Sequence, residues 1–166
     1  MKKKILAFAG SNHSQSIHHE LVKYTASVVT THEVNVLDLR DWVIPIYSID
    51  MDPDQTPPEI AQLIQLIQQA DGFIIASPEH NGSTPAFLKN IIDWMSRREK
   101  QVFGQKPVLL MSTSPGGRGG ASNLAHLTKT LPYQGAQVVA SFALPSYFDH
   151  FQDGKLSEAH QTQLQN

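Results

Sequence analysis

The residues able to do chemistry fall in three polar stretches, each directly after an apolar run. The first reads GSNHSQS over residues 10–16. Gly10 frees the backbone, and Ser11, Ser14 and Ser16 offer hydroxyls beside the start of a helix. There, unpaired N–H groups and the positive dipole end seat an anion. One serine, Ser14 or Ser16, would suffice as an N-cap. Three serines with Asn12 and His13 point instead to a phosphate loop that wraps its anion in amides and hydroxyls. The Gly-Lys-Ser/Thr ending of a triphosphate loop is missing, so triphosphate hydrolysis is not expected.

The second stretch reads SPEHNGS over residues 77–83. Pro78 restricts the chain path and Gly82 permits close approach. Asn81 carries a donor and an acceptor, suited to the edge of a pyrimidine-like ring. Ser83 or Thr84 is expected to cap the following helix, with Pro85 near its first position. A plain turn and cap accounts for these last three residues, but poorly for Glu79, His80 and Asn81. The third stretch, STSPGGRGG over residues 112–120, lets main chain pass against a flat ligand or phosphate. Its glycines are similar to a dinucleotide fingerprint, yet no acidic residue ends the next apolar run to take a ribose hydroxyl. A phosphate at the first stretch and a planar heterocycle between the other two have the shape of flavin mononucleotide (FMN).

Apolar runs at residues 5–9, 73–76, 108–111 and 138–144 mostly lack polar alternation, as strands covered on both faces do. Residues 33–39, EVNVLDL, alternate, as a less covered edge strand would. Helical periods lie between them: Ile17, Leu21, Tyr24 and Val28; Ile60, Leu63, Ile64 and Ile67; Phe87, Leu88, Ile91, Ile92 and Met95; and, more weakly, Ala121, Leu124, Ala125 and Leu131. This order predicts an α/β fold, a parallel sheet with helices on both faces and ligands beyond the carboxyl ends of the strands. The irregular residues 40–58, with Pro45, Pro53, Pro57 and Pro58, are long enough to form a lid. Within them Trp42 and Tyr47 would cover the site or a second subunit, or join the core. Phe148 and Phe151 pose the same choice, Trp94 reads as packing, and Ser157 would cap a short last helix. Lys89–Asp93 and Asp93–Arg97 are spaced to pair on a helix.

Thirteen basic and fifteen acidic residues leave a formal charge of −2, without the basic excess that captures nucleic acid. No segment has the length of a membrane span, and the short apolar run after Lys4 does not make a signal peptide. With no cysteine there is no disulfide, thiolate ligand or catalytic thiol. The histidines show no metal-ligand spacing, and no G-x-S-x-G elbow supports hydrolysis at Ser114. A single domain over residues 1–166, located in the cytoplasm, is expected.

Three motifs, GSxxxxS, SPEHNGSTPAFLKNIIDW and SPGGRGG, resemble the NADPH-dependent FMN reductases of flavodoxin-like fold, a family that includes quinone, chromate and azo-dye reductases. The resemblance runs from Lys3 to about Gly154. It implies a three-layer sandwich whose five parallel strands lie in the order 2-1-3-4-5. It also implies a bound FMN, with NADPH or NADH as co-substrate, and a homodimer or homotetramer. Carried over, Ser11 and Ser16 hold the phosphate with the amides around Gln15 and Ile17. Pro78, Glu79, His80 and Asn81, beside Gly82, line the isoalloxazine edge, and Ser114, Gly116 and Gly117 approach its other side. Three positions depart from the pattern: His13 for arginine, His18 for asparagine and His80 for tyrosine. His13 is a weaker, pH-dependent cation than arginine. The implied activity is ping-pong reduction of a flavin, quinone, azo dye or other small acceptor with no acid–base side chain. A flavodoxin-like electron carrier or a flavin-poor binding module are the alternatives. Arg40 and Arg118 are candidates for a 2′-phosphate partner.

Overall fold

The computed structural model describes residues 1–52 and 54–165, so Pro53 of the long loop lies outside the described residues. Five parallel strands, β1 (Lys4–Ala9), β2 (Glu33–Leu37), β3 (Gly72–Ala76), β4 (Lys106–Thr113) and β5 (Ala136–Leu144), form one sheet in the order β2-β1-β3-β4-β5. Four helices separate them: α1 (Ile17–Val28), α2 (Pro58–Gln69), α3 (Ala86–Arg98) and α4 (Ala121–Thr130). After β5 come a one-turn helix α5 (Tyr147–His150), a hairpin of β6 (Phe151–Gln152) and β7 (Lys155–Leu156), and α6 (Glu158–Gln165). No helix among the described residues is long and apolar enough to cross a membrane.

Alternation along each strand sends side chains to two separate cores. Leu6 and Phe8 join Phe73, Ile75, Val108 and Leu110 under α2, α3 and α4. Ala7 and Ala9 join Ile74, Ala76 and Met111 under α1, with Tyr147 and Leu156 from the C-terminal segment. The small alanines in the second layer let α1 sit close to the sheet, which brings its first turn up to the strand ends.

Four local expectations are corrected. β5 is not covered on both faces: Val139, Ala140 and Ser141 are exposed, because β5 is the last strand of the sheet and α6 is short. Along α4 the buried positions are Asn123 and Leu127, while Ala125 is exposed; the buried asparagine hid the true phase of that helix. Of the segment expected to form a lid, Arg40 reaches the first loop, whereas residues 44–47 lie away from the strand ends. They strap across α3, where Trp94 Nε1–H donates to Pro45 O (2.8 Å) and Asn90 Oδ1 accepts from Tyr47 N–H (2.8 Å). Trp42 and Tyr47 both pack against the core beneath α3, and the Tyr47 ring meets Trp94 edge-on at 5.1 Å. Finally, Asp93 takes Lys89 but not Arg97, whose guanidinium lies over the Tyr47 ring at 5.4 Å.

Candidate functional site

The loop after β1 is shaped by close packing. Gly10 N–H donates to Ala76 O (2.8 Å), and a Cβ on Gly10 would stand 2.6 Å from Leu88 Cδ2 of α3. Only glycine lets that helix close against the loop. Ser16 is the N-cap of α1, its Oγ accepting from His19 N–H at 3.2 Å. Ser11 Oγ accepts from His13 N–H at 3.3 Å. Each hydroxyl is thereby used as an acceptor, which leaves its O–H to donate elsewhere. Arg40 braces the loop from outside: its Nη1–H donates to Ser14 O (2.6 Å), while Nε and Nη2 grip the Asp38 carboxylate. The guanidinium bonded to Asp38 holds that carboxyl down to about 2.

His18 is the buried polar group of this corner, only 5 % exposed. Its Nε2 accepts from Thr113 N–H at the end of β4 (3.3 Å), which places the ring proton on Nδ1. Burial, aided by nearby His80, pushes its pKa down to about 4. The native ring is therefore neutral at pH 7 and stays so well into acid. An unfolded chain takes up this proton from about 6.5 downward, so native stability falls as pH drops between those two values and levels off below the lower one. At pH 5 the loss is on the order of 2 kcal/mol. His19 and His160, both held low chiefly by burial, act in the same direction. Urea melts at pH 7 and pH 5 for the natural chain and for His18→Asn separate the contribution: the variant is expected to lose about 2 kcal/mol less across that interval.

After β3, His80 and Ser83 exchange main-chain hydrogen bonds of 3.0 Å around Asn81 (φ 53°) and Gly82 (φ 75°). Two successive left-handed residues are the chemistry of a type I′ turn, for which Asn-Gly is the favoured pair. Asn81 and Gly82 are thus the tip of a tight turn beside the main cavity, whose lining includes the adjoining His80. The cap expected from Ser83 or Thr84 is absent as well. Pro85 occupies the N-cap position of α3, and Thr84 Oγ1–H is turned away to Asn123 Oδ1 (2.7 Å).

The loop after β4 has no side-chain cap of its own, since Gly120, in the left-handed region, precedes α4. Glu79 supplies it from across the rim. Its Oε2 accepts from Ser122 N–H (2.9 Å) and Asn123 N–H (3.1 Å). Asn123, fully buried, completes the tie by donating through Nδ2 to Ser77 Oγ (2.8 Å) and Pro78 O (2.6 Å). Ser114 Oγ spans the glycines, donating to Gly116 O (2.8 Å) and accepting from Gly119 N–H (3.0 Å). The structural work of Glu79 and the whole role of Asn123 escaped the sequence reading. The only trace was a polar residue where the stripe of α4 should be apolar.

These loops enclose a cavity of about 510 Å³ at the carboxyl ends of the strands. Ser11, His13, Gln15, Ser16, Ile17 and His18 form one wall; Pro78, Glu79 and His80 form the second. Thr113, Ser114 and Pro115 line a third side, and Phe148, exposed on α5, stands at the rim. Gly116 and Gly117 stand apart, in an adjoining groove of about 440 Å³ reached past Glu79 and Ser114. A depression of about 320 Å³ beside Lys4, Glu33 and Gln69 lies at the amino ends of the strands, away from these loops.

The family description NADPH-dependent FMN reductase matches residues 3–149. The chain belongs to that family. Over 109 residues it is 41 % identical to a quinone reductase of Escherichia coli K12, a match that covers 64 % of this chain and 57 % of the relative. The chain thus spans little more than half the length of that curated relative. It is 32 % identical to NAD(P)H-dependent FMN reductase PA1204 of Pseudomonas aeruginosa, covering 98 % of this chain and 91 % of that protein. Among solved structures, FerB from Paracoccus denitrificans, a flavoenzyme NAD(P)H:(acceptor) oxidoreductase, superposes with a TM-score of 0.82 at 28 % identity, over 98 % of this chain and 91 % of that one.

Proposed function

We propose that this FMN reductase family member is an FMN-dependent NAD(P)H oxidoreductase that reduces quinones or similar flat acceptors. The observation that carries the reading is the convergence of three loops on one cavity with unspent donors at its phosphate end. The Ser11 and Ser16 hydroxyls and the His18 Nδ1–H are three such donors around the first turn of α1, whose own amides point the same way. A phosphate monoester is the ligand that this donor set fits. Pro78, His80, Pro115 and Phe148 give the rest of the cavity flat, largely apolar walls suited to a ring system.

Bound there, FMN would supply the redox chemistry, relaying two electrons from reduced nicotinamide to the acceptor. The protein's part is to hold and orient. Glu79 and Asn123 fix the second and third loops against each other, and Arg40 and Gly10 fix the first against the sheet and α3. These groups hold and orient, and no acid–base side chain is assigned. The names of the relatives favour an enzyme over a pure electron carrier, and a formal charge of −2 gives little of the field by which carriers steer. A homodimer belongs to the same proposal: Val43, Ile46 and Ile49 are exposed together on the strap across α3, an apolar face that a second subunit would cover. All 166 residues act as one unit in the cytosol, the compartment that holds reduced nicotinamide.

Purified protein titrated with FMN is expected to quench flavin fluorescence at one site per chain. Anaerobic NADPH or NADH is then expected to bleach the bound flavin directly, and a quinone to restore it. The Ser11→Ala/Ser16→Ala double variant is expected to weaken FMN binding at least about 10-fold. Protein that neither binds FMN nor bleaches defeats the proposal.

A further inference from the structure

We infer that Arg118 reads the 2′-phosphate of NADPH and so sets a preference for NADPH over NADH. The inference rests on the reductase reading and names the nicotinamide cofactor that the site selects. It comes from asking what each arginine is already doing. Arg40 is spent on Asp38 and on Ser14 O, Arg97 lies over the Tyr47 ring, and Arg98 is paired with Asp52. Arg118 has neither an acidic nor an aromatic partner among the described residues; its one bond is from Nη2–H to Ser122 Oγ (2.8 Å).

Its position gives that free cation a use. Arg118 lines the groove of about 440 Å³ together with Glu79, Ser114, Gly116, Gly117 and Gly120, and this groove adjoins the proposed flavin cavity through Glu79 and Ser114. The one carboxylate there, Glu79, is bonded to two main-chain amides of α4 and leaves the guanidinium unpaired. Space above Gly116 and Gly117 is empty: a Cβ on either would meet nothing within 4 Å. A dinucleotide that brings its nicotinamide to the flavin can lay its remaining length along this bare main chain. NADH and NADPH differ only by a dianionic monoester on the adenosine ribose, and a planar guanidinium held by Ser122 is the group that grips such an ester with two hydrogen bonds. No lysine lines the cavity or the groove.

The test measures kcat/KM for NADPH and for NADH with a saturating quinone in the natural chain and in Arg118→Ala, beside binding of 2′,5′-ADP and 5′-ADP by calorimetry. FMN titration of both proteins runs in parallel. The natural chain is expected to favour NADPH and to bind 2′,5′-ADP about 10-fold to 100-fold more tightly than 5′-ADP. In Arg118→Ala both ratios are expected to collapse toward one, with FMN affinity retained. Equal loss with NADPH and NADH would assign Arg118 to the shared diphosphate or to the flavin and overturn the inference. Unchanged ratios overturn it too. A chain that takes up no FMN defeats the reductase reading instead, and the calorimetric comparison of the two adenosine phosphates still decides on Arg118.

Discussion

Replacing Gly120 by alanine is expected to cost about 4 kcal/mol of stability and to remove high-affinity FMN binding. Two independent penalties add. Gly120 sits at φ 74°, in the left-handed region, which an L-residue enters at a cost of about 1–2 kcal/mol. A methyl there would also overlap Ser112 Oγ, which is buried and donates to Ser77 O (2.7 Å), and would press on Ser112 Cβ at 3.0 Å. Forcing a methyl into so tight a junction costs about 1–3 kcal/mol. The displaced Ser112 hydroxyl ties the end of β4 to the start of the second loop, so the cavity should lose its second wall. Urea melts and FMN fluorescence titration read the two effects. Gly116→Ala is the internal contrast, because its Cβ would point into open space at an ordinary φ. Its stability should change by less than about 0.5 kcal/mol. If Gly120→Ala proved equally mild, the rigid junction described above would not exist in solution.

Asn123→Ala is expected to destabilise by about 3 kcal/mol and to weaken FMN binding at least about 10-fold. The side chain is wholly buried and serves Ser77, Pro78 and Thr84 at once. Truncation removes three hydrogen bonds at about 1 kcal/mol each, leaving Pro78 O only its 3.1 Å bond from Ser77 Oγ–H and the half-buried Thr84 hydroxyl without its acceptor. Asn123→Asp is the sharper variant: it can still accept from Thr84 but cannot donate to Pro78 O, and it buries a carboxyl. It should be at least as damaging as alanine. A stable, FMN-binding Asn123→Asp would show that the second loop holds its shape without α4.

The strands and the three loops were legible in the sequence because their signals are local. Uninterrupted runs such as FIIA and VLLM mark strands covered on both faces, and turn-forming residues mark where they end. The helix start beside the cavity was legible for the same reason, since Ser16 both caps α1 and faces the cavity. What was hidden is whatever depends on residues far apart in the chain. Glu79 looks like a ligand group until Ser122 and Asn123 are brought beside it. Thr84 looks like a cap until its hydroxyl finds Asn123. Asn81 and Gly82 carried a strong turn signal, and a tight turn is what they form. Trp42 and Tyr47 could not be placed because nothing local says that residues 44–47 lie against α3 rather than over the strand ends.

No two neighbouring strands of the five-stranded sheet are joined by a hairpin. Residue 5 pairs with residues 34 and 72, and residue 108 with residues 73 and 138. During synthesis the first strand must therefore wait, apolar and unpaired on one side, until the third has left the ribosome. Such distant pairing makes assembly slow and leaves sticky intermediates. The cavity at the strand ends can close only after this assembly, because α4, which secures the second loop, is made after four of the five strands. Completion of that cavity is therefore a late event of folding.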